Sequence, residues 1–163
     1  MHSPSASTCS MNETRQTISA SPDETYTLGE ELGAGLGGGE VILLTGGLGA
    51  GKTLLTKGVL SALDFDVDEV TSPSFTLVNL YKTPRFDVYH IDLWRSSGDD
   101  PAFSVGLEEI LDDDNAVVIV EWAERLEGFN FGRTVYHIDI AGDGDEPRRI
   151  YIRRTEQIPA ASV

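Results

Sequence analysis

Hydrophobic positions along this chain switch between two periods. Val41-Ile42-Leu43-Leu44-Thr45 is an unbroken apolar run, as expected of a parallel strand buried on both faces, and Ala116-Val117-Val118-Ile119-Val120 is a second. Ahead of the first run the pattern is helical. Leu28, Leu32 and Leu36 recur every four residues behind Ser21-Pro22-Asp23-Glu24, which reads as a capping box with proline at the first helical position. Gly37-Gly38-Gly39 closes that helix. A second helix is predicted after the first strand, with Leu55, Val59, Leu60 and Leu63 on one face as far as Leu63. An acidic connection at 64–69 leads to residues 71–81, a loop running into an alternating strand, and residues 86–92 form another alternating strand. The turn between these two strands is short, which makes them antiparallel neighbours. Residues 101–111 read as a short helix opened by Asp100-Pro101. Two alternating segments, 134–140 and 149–153, flank Gly142-Asp143-Gly144-Asp145-Glu146-Pro147 and form a hairpin by turn chemistry. The expected fold is a single α/β domain over residues 21–155, with flexible tails at 1–20 and 156–163. Its central sheet is mixed and mostly parallel, flanked by helices, with a C-terminal β-hairpin.

Gly46-Gly47-Leu48-Gly49-Ala50-Gly51-Lys52-Thr53 joins the first strand to the second helix and fits G-x-x-x-x-G-K-S/T at every required position. That context makes the domain P-loop NTPase-like. Backbone N–H groups of such a loop converge on an anion, and the helix N-terminus adds its positive dipole end. Lys52 is then expected to reach the β/γ-phosphates of a nucleoside triphosphate and the Thr53 hydroxyl to ligate Mg²⁺. A carboxylate is needed near the metal, and two candidates end strands: Glu121, after the purer apolar run, and Asp92. Pattern alone leaves other residues open. Thr71-Ser72-Pro73-Ser74-Phe75-Thr76 sits where switch-like loops occur but is more simply a Ser/Thr turn. His90 reads as a packed sheet residue, Trp122 as either a core aromatic or a stacking platform, and Arg148 and Arg149 as surface charges.

Charge narrows the partners. The chain has 163 residues with 27 acidic against 12 basic, a net charge of −15. Such a surface repels a bare phosphate backbone, so direct nucleic-acid binding is disfavoured and any connection to RNA is expected to run through a partner protein. Acidity with few lysines also suits a salt-rich cytoplasm, where screening relieves self-repulsion. The single cysteine, Cys9, excludes an internal disulfide and a cysteine metal cluster. No apolar stretch has the length to cross a bilayer, and the first 20 residues hold no signal-type apolar segment, so the expected location is cytoplasmic.

Taken together, four segments resemble the bacterial TsaE (YjeE) family in order and spacing. They are Leu48-Gly49-Ala50-Gly51-Lys52-Thr53, Thr71-Ser72-Pro73-Ser74-Phe75-Thr76-Leu77-Val78, Tyr89-His90-Ile91-Asp92-Leu93-Trp94-Arg95 and Val120-Glu121-Trp122-Ala123-Glu124. The resemblance implies a small Mg²⁺-dependent P-loop ATPase of tRNA threonylcarbamoyladenosine biosynthesis, slow alone and stimulated by two partners, TsaB and TsaD. By position it implies that Gly46, Gly47, Leu48, Gly49, Ala50, Gly51, Lys52 and Thr53 hold the phosphates and that Thr53 and Glu121 ligate Mg²⁺. It further implies that Asp92 orders metal or water, that Thr25 contacts nucleotide and that Trp122 lies beside it. An arginine of the C-terminal hairpin is implied to touch nucleotide too, with Arg148 and Arg149 both eligible. Ser74, Trp94 and Ala123 depart from the more frequent Thr, Tyr and Pro without removing a phosphate or metal group. Rival readings are a small-molecule kinase, for which no arginine-rich lid is visible, and a binding module gated by nucleotide without turnover. A GTPase is disfavoured: Asp139-Ile140-Ala141-Gly142 matches D-x-x-G only at the terminal hairpin, and no N-K-x-D segment exists.

Overall fold

A computed structural model describes residues 13–47, 49–71, 77–94, 100–142 and 144–159, apart from the side chains at 103 and 104. Among the described residues it holds seven strands and four α-helices, besides two short 3-10 turns: β1 (Glu13–Ser19), α1 (Pro22–Ala34), β2 (Val41–Gly46), α2 (Lys52–Ala62), β3 (Val78–Lys82), β4 (Asp87–Asp92), α3 (Pro101–Ser104), α4 (Leu107–Ile110), β5 (Val117–Glu121), β6 (Thr134–Ala141) and β7 (Arg148–Glu156). The strands form one sheet in the order β1-β7-β6-β2-β5-β4-β3.

The two unbroken apolar runs lie side by side at the centre of this sheet. β2 pairs parallel with β5 and β6, and β5 pairs parallel with β4. Antiparallel pairs finish both ends, β3 on β4 at one side and β7 on β6 followed by β1 on β7 at the other. Alternation along the central strands divides the core in two. Ile42, Leu44, Ile119 and Ile138 face α1 and α2, against Leu28, Leu55, Val59 and Leu60. Val41, Leu43, Val118 and Val120 face the other way, against Leu107, Ile110, Leu126 and Phe131. An all-apolar strand is what a site buried on both faces requires.

α1 begins at the N-cap Ser21 that its capping box predicts, although the reciprocal bond of Glu24 goes to the residue before the cap. The Glu24 N–H donates to Ser21 Oγ at 3.2 Å, and the Ala20 N–H donates to Glu24 Oε1 at 2.8 Å. α1 then packs backbone to backbone on α2 through glycines. A Cβ on Gly58 would stand 2.1 Å from the Tyr26 carbonyl oxygen, and one on Gly29 would stand 2.3 Å from that of Leu55. This close approach brings the first turn of α1 over the phosphate loop.

Three expectations change. The tail expected over residues 1–20 contains β1, an edge strand hydrogen-bonded along β7. Its first four positions, Glu13, Thr14, Arg15 and Gln16, are polar and exposed, and its apolar residue, Ile18, is exposed as well, so there is no hydrophobic alternation to read. The tail expected over 156–163 is docked at its start, where the Gln157 N–H donates to the Arg133 carbonyl at 3.1 Å. The single helix expected over 101–111 is two single turns, because Gly106 adopts a left-handed φ of 67° between them. Among the described residues, no helix is long and apolar enough to cross a membrane.

Candidate active site

The phosphate loop leaves β2 at Gly46 and enters α2 through Gly51, both at positive φ, 142° and 115°. Glycine at 46 is also needed for space, since a Cβ there would lie 2.5 Å from the Ile140 carbonyl oxygen. The turn closes by a 3.2 Å bond from the Ala50 N–H to the Gly47 carbonyl, and the Leu55 N–H caps onto the Gly51 carbonyl at 2.9 Å. Leu48 lies outside the described residues. Thr53 is the second residue of α2, on the helix terminus where backbone donors and dipole favour anions.

Lys52 is buried and folded back over the loop. Its Nζ donates to the Gly46 carbonyl at 2.6 Å and the Gly47 carbonyl at 2.9 Å, and it lies 4.5 Å from the centre of the Trp122 ring. Burial pulls the ammonium below its ordinary pKa, while Glu121, then Glu124 and Asp92, act in the opposite direction and favour the charge. The cation thus sits between loop carbonyls, an aromatic face and nearby carboxylates.

Glu121 and Asp92 end adjacent parallel strands and are register partners. Alternation puts His90, Asp92 and Glu121 on the α2 side of the sheet. Asp92 is raised above its ordinary pKa by burial first; the Trp94 N–H opposes this, Glu121 adds to it, and His90 and Lys52 oppose it. After Glu121 the chain turns sharply, with Trp122 in left-handed backbone at φ 60°, ψ 42°. For a bulky non-glycine residue this conformation is strained, and strain of that kind collects at functional sites. It swings the Trp122 ring beneath Lys52, where Trp94 packs against it at a tilt of 36° with ring centres 4.4 Å apart.

Arg148 approaches from the hairpin. Its Nε donates to the Ala50 carbonyl at 3.0 Å, and its Nη2 donates to the carbonyls of Gly49 and Gly144 at 3.2 and 3.1 Å. Thr25 approaches from α1: its hydroxyl is buried 2.6 Å from Ser19 Oγ, and its methyl faces Gly51. Beside the loop these elements border a cavity of about 380 Å³ lined by Ser21, Pro22, Thr25, Gly51, Asp145 and Arg148.

The structure therefore brings together Thr25, Gly46, Gly47, Gly49, Ala50, Gly51, Lys52, Thr53, Asp92, Glu121, Trp122 and Arg148. Arg149 is not among them: strand alternation turns it to the face of β7 away from Arg148, in register with Ile18 and Ala141. Residues 72–76 of the Ser/Thr-rich loop and Arg95 lie outside the described residues. At the loop's start, the Thr71 carbonyl accepts from the Tyr81 hydroxyl at 3.0 Å and from Asn79 Nδ2 at 3.1 Å. His90 is the residue whose place here was missed. Its position two residues before Asp92, on the same strand face, was the available signal.

The donor set fits a hard cation. Among the described residues no three His, Cys, Asp or Glu side chains converge to cage a metal. Hydroxyl and carboxylate oxygens beside a phosphate loop instead match the way Mg²⁺ is held, by one or two carboxylates with substrate phosphates.

Residues 19–150 match the family model described as "Threonylcarbamoyl adenosine biosynthesis protein TsaE". The chain belongs to the TsaE family. Similar relatives include the Aquifex aeolicus tRNA threonylcarbamoyladenosine biosynthesis protein TsaE, 36% identical over 84% of this chain and 96% of that one. The Rickettsia bellii protein of the same name is 35% identical over 69% of this chain and 76% of its own. Among solved structures, Bacillus subtilis YdiB superposes with a TM-score of 0.64 at 29% identity, covering 88% of this chain and 86% of that chain.

Proposed function

We propose that this TsaE-family chain is a Mg²⁺-dependent ATPase serving tRNA threonylcarbamoyladenosine biosynthesis, and that it acts with TsaB and TsaD homologues. The observation that carries the reading is the convergence of Lys52, Asp92 and Glu121 at a loop whose sequence fits the phosphate-binding motif at every required position. The loop amides and the α2 N-terminus hold the phosphates, and the nucleoside occupies the cavity between α1 and the hairpin turn. Lys52 leaves the Gly46 and Gly47 carbonyls for the β/γ-phosphates, a move that exchanges two neutral acceptors for charged ones. Thr53 and Glu121 would hold Mg²⁺, which when bound neutralises charge developing on the transferred phosphoryl group. Asp92, beside Glu121 and biased toward its neutral form by burial, orders water at the same point. The surface charge of −15 supports reaching tRNA through partners and not by direct contact.

The deciding measurement is free phosphate release from Mg-ATP by the full chain, alone and with the TsaB–TsaD pair and tRNA. Stimulation by the pair is expected, and Glu121→Ala should bind ATP while losing phosphate release on the order of 100-fold, the scale for removing one electrostatic stabiliser. A phosphorylated acceptor in place of free phosphate would make the chain a kinase. Tight ATP binding without turnover in any mixture would make it a nucleotide-gated module.

A further inference from the structure

His90 lies in β4 with no solvent exposure, and its Nε2 stands 2.6 Å from Glu121 Oε2, itself in a side chain only 4% exposed. A carboxylate has no hydrogen to give, so the imidazole Nε2–H is the donor. The other ring nitrogen, Nδ1, is buried without a hydrogen-bond partner among the described residues. An imidazole in this position is a poor choice for packing alone. Desolvating an unpaired polar atom costs about 1–3 kcal/mol, which an apolar side chain of similar volume avoids. What the ring supplies that such a side chain lacks is the bond to Glu121. That bond links strands 31 residues apart in sequence and is set by the parallel register, in which His90 lies opposite Ile119 and Asp92 opposite Glu121.

We propose that His90 is the positioning residue of the magnesium site: it engages Glu121 Oε2, fixes the rotation of the carboxylate and leaves Oε1 as the oxygen offered to the cation. The inference builds on the reading of Glu121 as a ligand of magnesium–ATP. A carboxylate at the end of a strand otherwise rotates about its last bonds. Hydrogen-bonding partners of ligating carboxylates hold them in the binding geometry, and their loss typically costs about 10–100-fold in metal affinity. His90 touches neither phosphate nor reacting water in this scheme, so its effect should appear in metal recognition ahead of nucleotide recognition.

Calorimetric titration of the full chain with ATP, once in excess EDTA and once with Mg²⁺, separates the two. The ratio of the two dissociation constants is the magnesium contribution. The Nε2 of glutamine reaches as far as the imidazole Nε2, whereas the amide of asparagine falls short. His90→Asn should therefore shrink the magnesium contribution by at least about tenfold, with His90→Gln staying within about threefold of wild type. Metal-free ATP affinity should be the same in all three. Should His90→Asn fail to fold, His90→Leu, which fills the volume without a donor, takes its place. Equal losses in the Asn and Gln variants, an unchanged magnesium contribution in Asn, or a parallel fall in metal-free affinity would each overturn the positioning role. If the wild-type chain binds ATP no better with Mg²⁺ than without, the magnesium–ATP reading falls as well; if it does gain and His90→Asn gains equally, only the role of His90 falls.

Discussion

Arg148 donates from three guanidinium nitrogens to four carbonyls, those of Ala50, Glu146, Gly49 and Gly144, and so ties the phosphate loop to the hairpin turn. Arg149 sits on the opposite face of the same strand, opposite Ile18. The two should separate in a binding assay. Arg148→Ala removes several bonds at once, including a charged donor beside the cavity proposed for the nucleoside, and is expected to weaken ATP binding about tenfold or more. Arg149→Ala should leave ATP affinity unchanged and stability within about 0.5 kcal/mol. Equal effects in titration calorimetry would refute the placement of Arg148. Asp92 offers a second test at this scale, through pH. Burial raises its pKa above 3.8, so the folded state holds the proton more tightly than the unfolded chain. The stability it contributes is therefore full below pH 3.8 and is lost as pH rises through the folded value. Asp92→Asn keeps an acceptor for the Trp94 N–H, which now donates to Oδ1 at 2.9 Å, and removes the buried charge. The variant should melt higher than wild type at neutral pH, with the gap closing toward pH 3.5. A constant gap, or a lower melting temperature at neutral pH, would show that burial of Asp92 is not what governs. At this scale the glycine loop, Lys52, Thr53 and the two strand-end carboxylates were legible because one local motif and two strand ends announce them. The choice between Arg148 and Arg149 was not legible, since a one-residue shift in hairpin register reverses it. Nor was the His90–Glu121 bond, which depends on which strands are neighbours.

At the scale of elements, the site depends on how closely α1 lies against α2. Three glycines, Gly29, Gly33 and Gly58, leave no room for a Cβ: each would meet a carbonyl oxygen of the other helix at 2.1–2.4 Å. The contact carries Thr25 to Gly51 and sets one wall of the cavity beside the glycine loop. Gly58→Ala must push the helices apart, and overpacking of this kind costs about 1–3 kcal/mol. Because the displaced helix bears Thr25, ATP affinity should fall as well. Gly35 is the control: it ends α1 at ordinary negative φ, and its nearest neighbour to a new Cβ is 3.7 Å away, so Gly35→Ala should be neutral. Urea denaturation and ATP titration of both variants check this, and a Gly58→Ala chain as stable as wild type would contradict the packing. The sequence announced α1 by its capping box and α2 by its leucines, and β2 and β5 by their apolar runs. β1 escaped notice because an exposed edge strand buries almost nothing, so no alternation is imposed on it. What holds it is its pairing with β7, together with the buried contact from Ser19 to Thr25.

For the molecule as a whole, charge is the dominant fact beyond the fold. With 27 acidic residues against 12 basic ones, the folded chain compresses a net charge of −15 into one domain, and self-repulsion opposes compactness. Among the described residues, the ion pairs between Arg15 and Glu31 and between Lys82 and Asp87 lie at the surface, where such pairs contribute little, while that between Arg154 and Glu156 is partly buried. Screening length falls from about 10 Å at 0.1 M salt to about 3 Å at 1 M, so added KCl should relieve repulsion between carboxylates spaced farther apart than a few ångströms. The melting temperature is therefore expected to rise by several degrees across that range at pH 7. The same salt step near pH 4.3, where the sequence is close to electroneutral, has little net charge to screen and should shift the melting temperature far less. A rise of equal size at both pH values would mean that salt acts on apolar burial and not on charge. A flat response at pH 7 would mean that the acidic surface is no burden to the fold, and adaptation to a salt-rich cytoplasm would lose its physical basis.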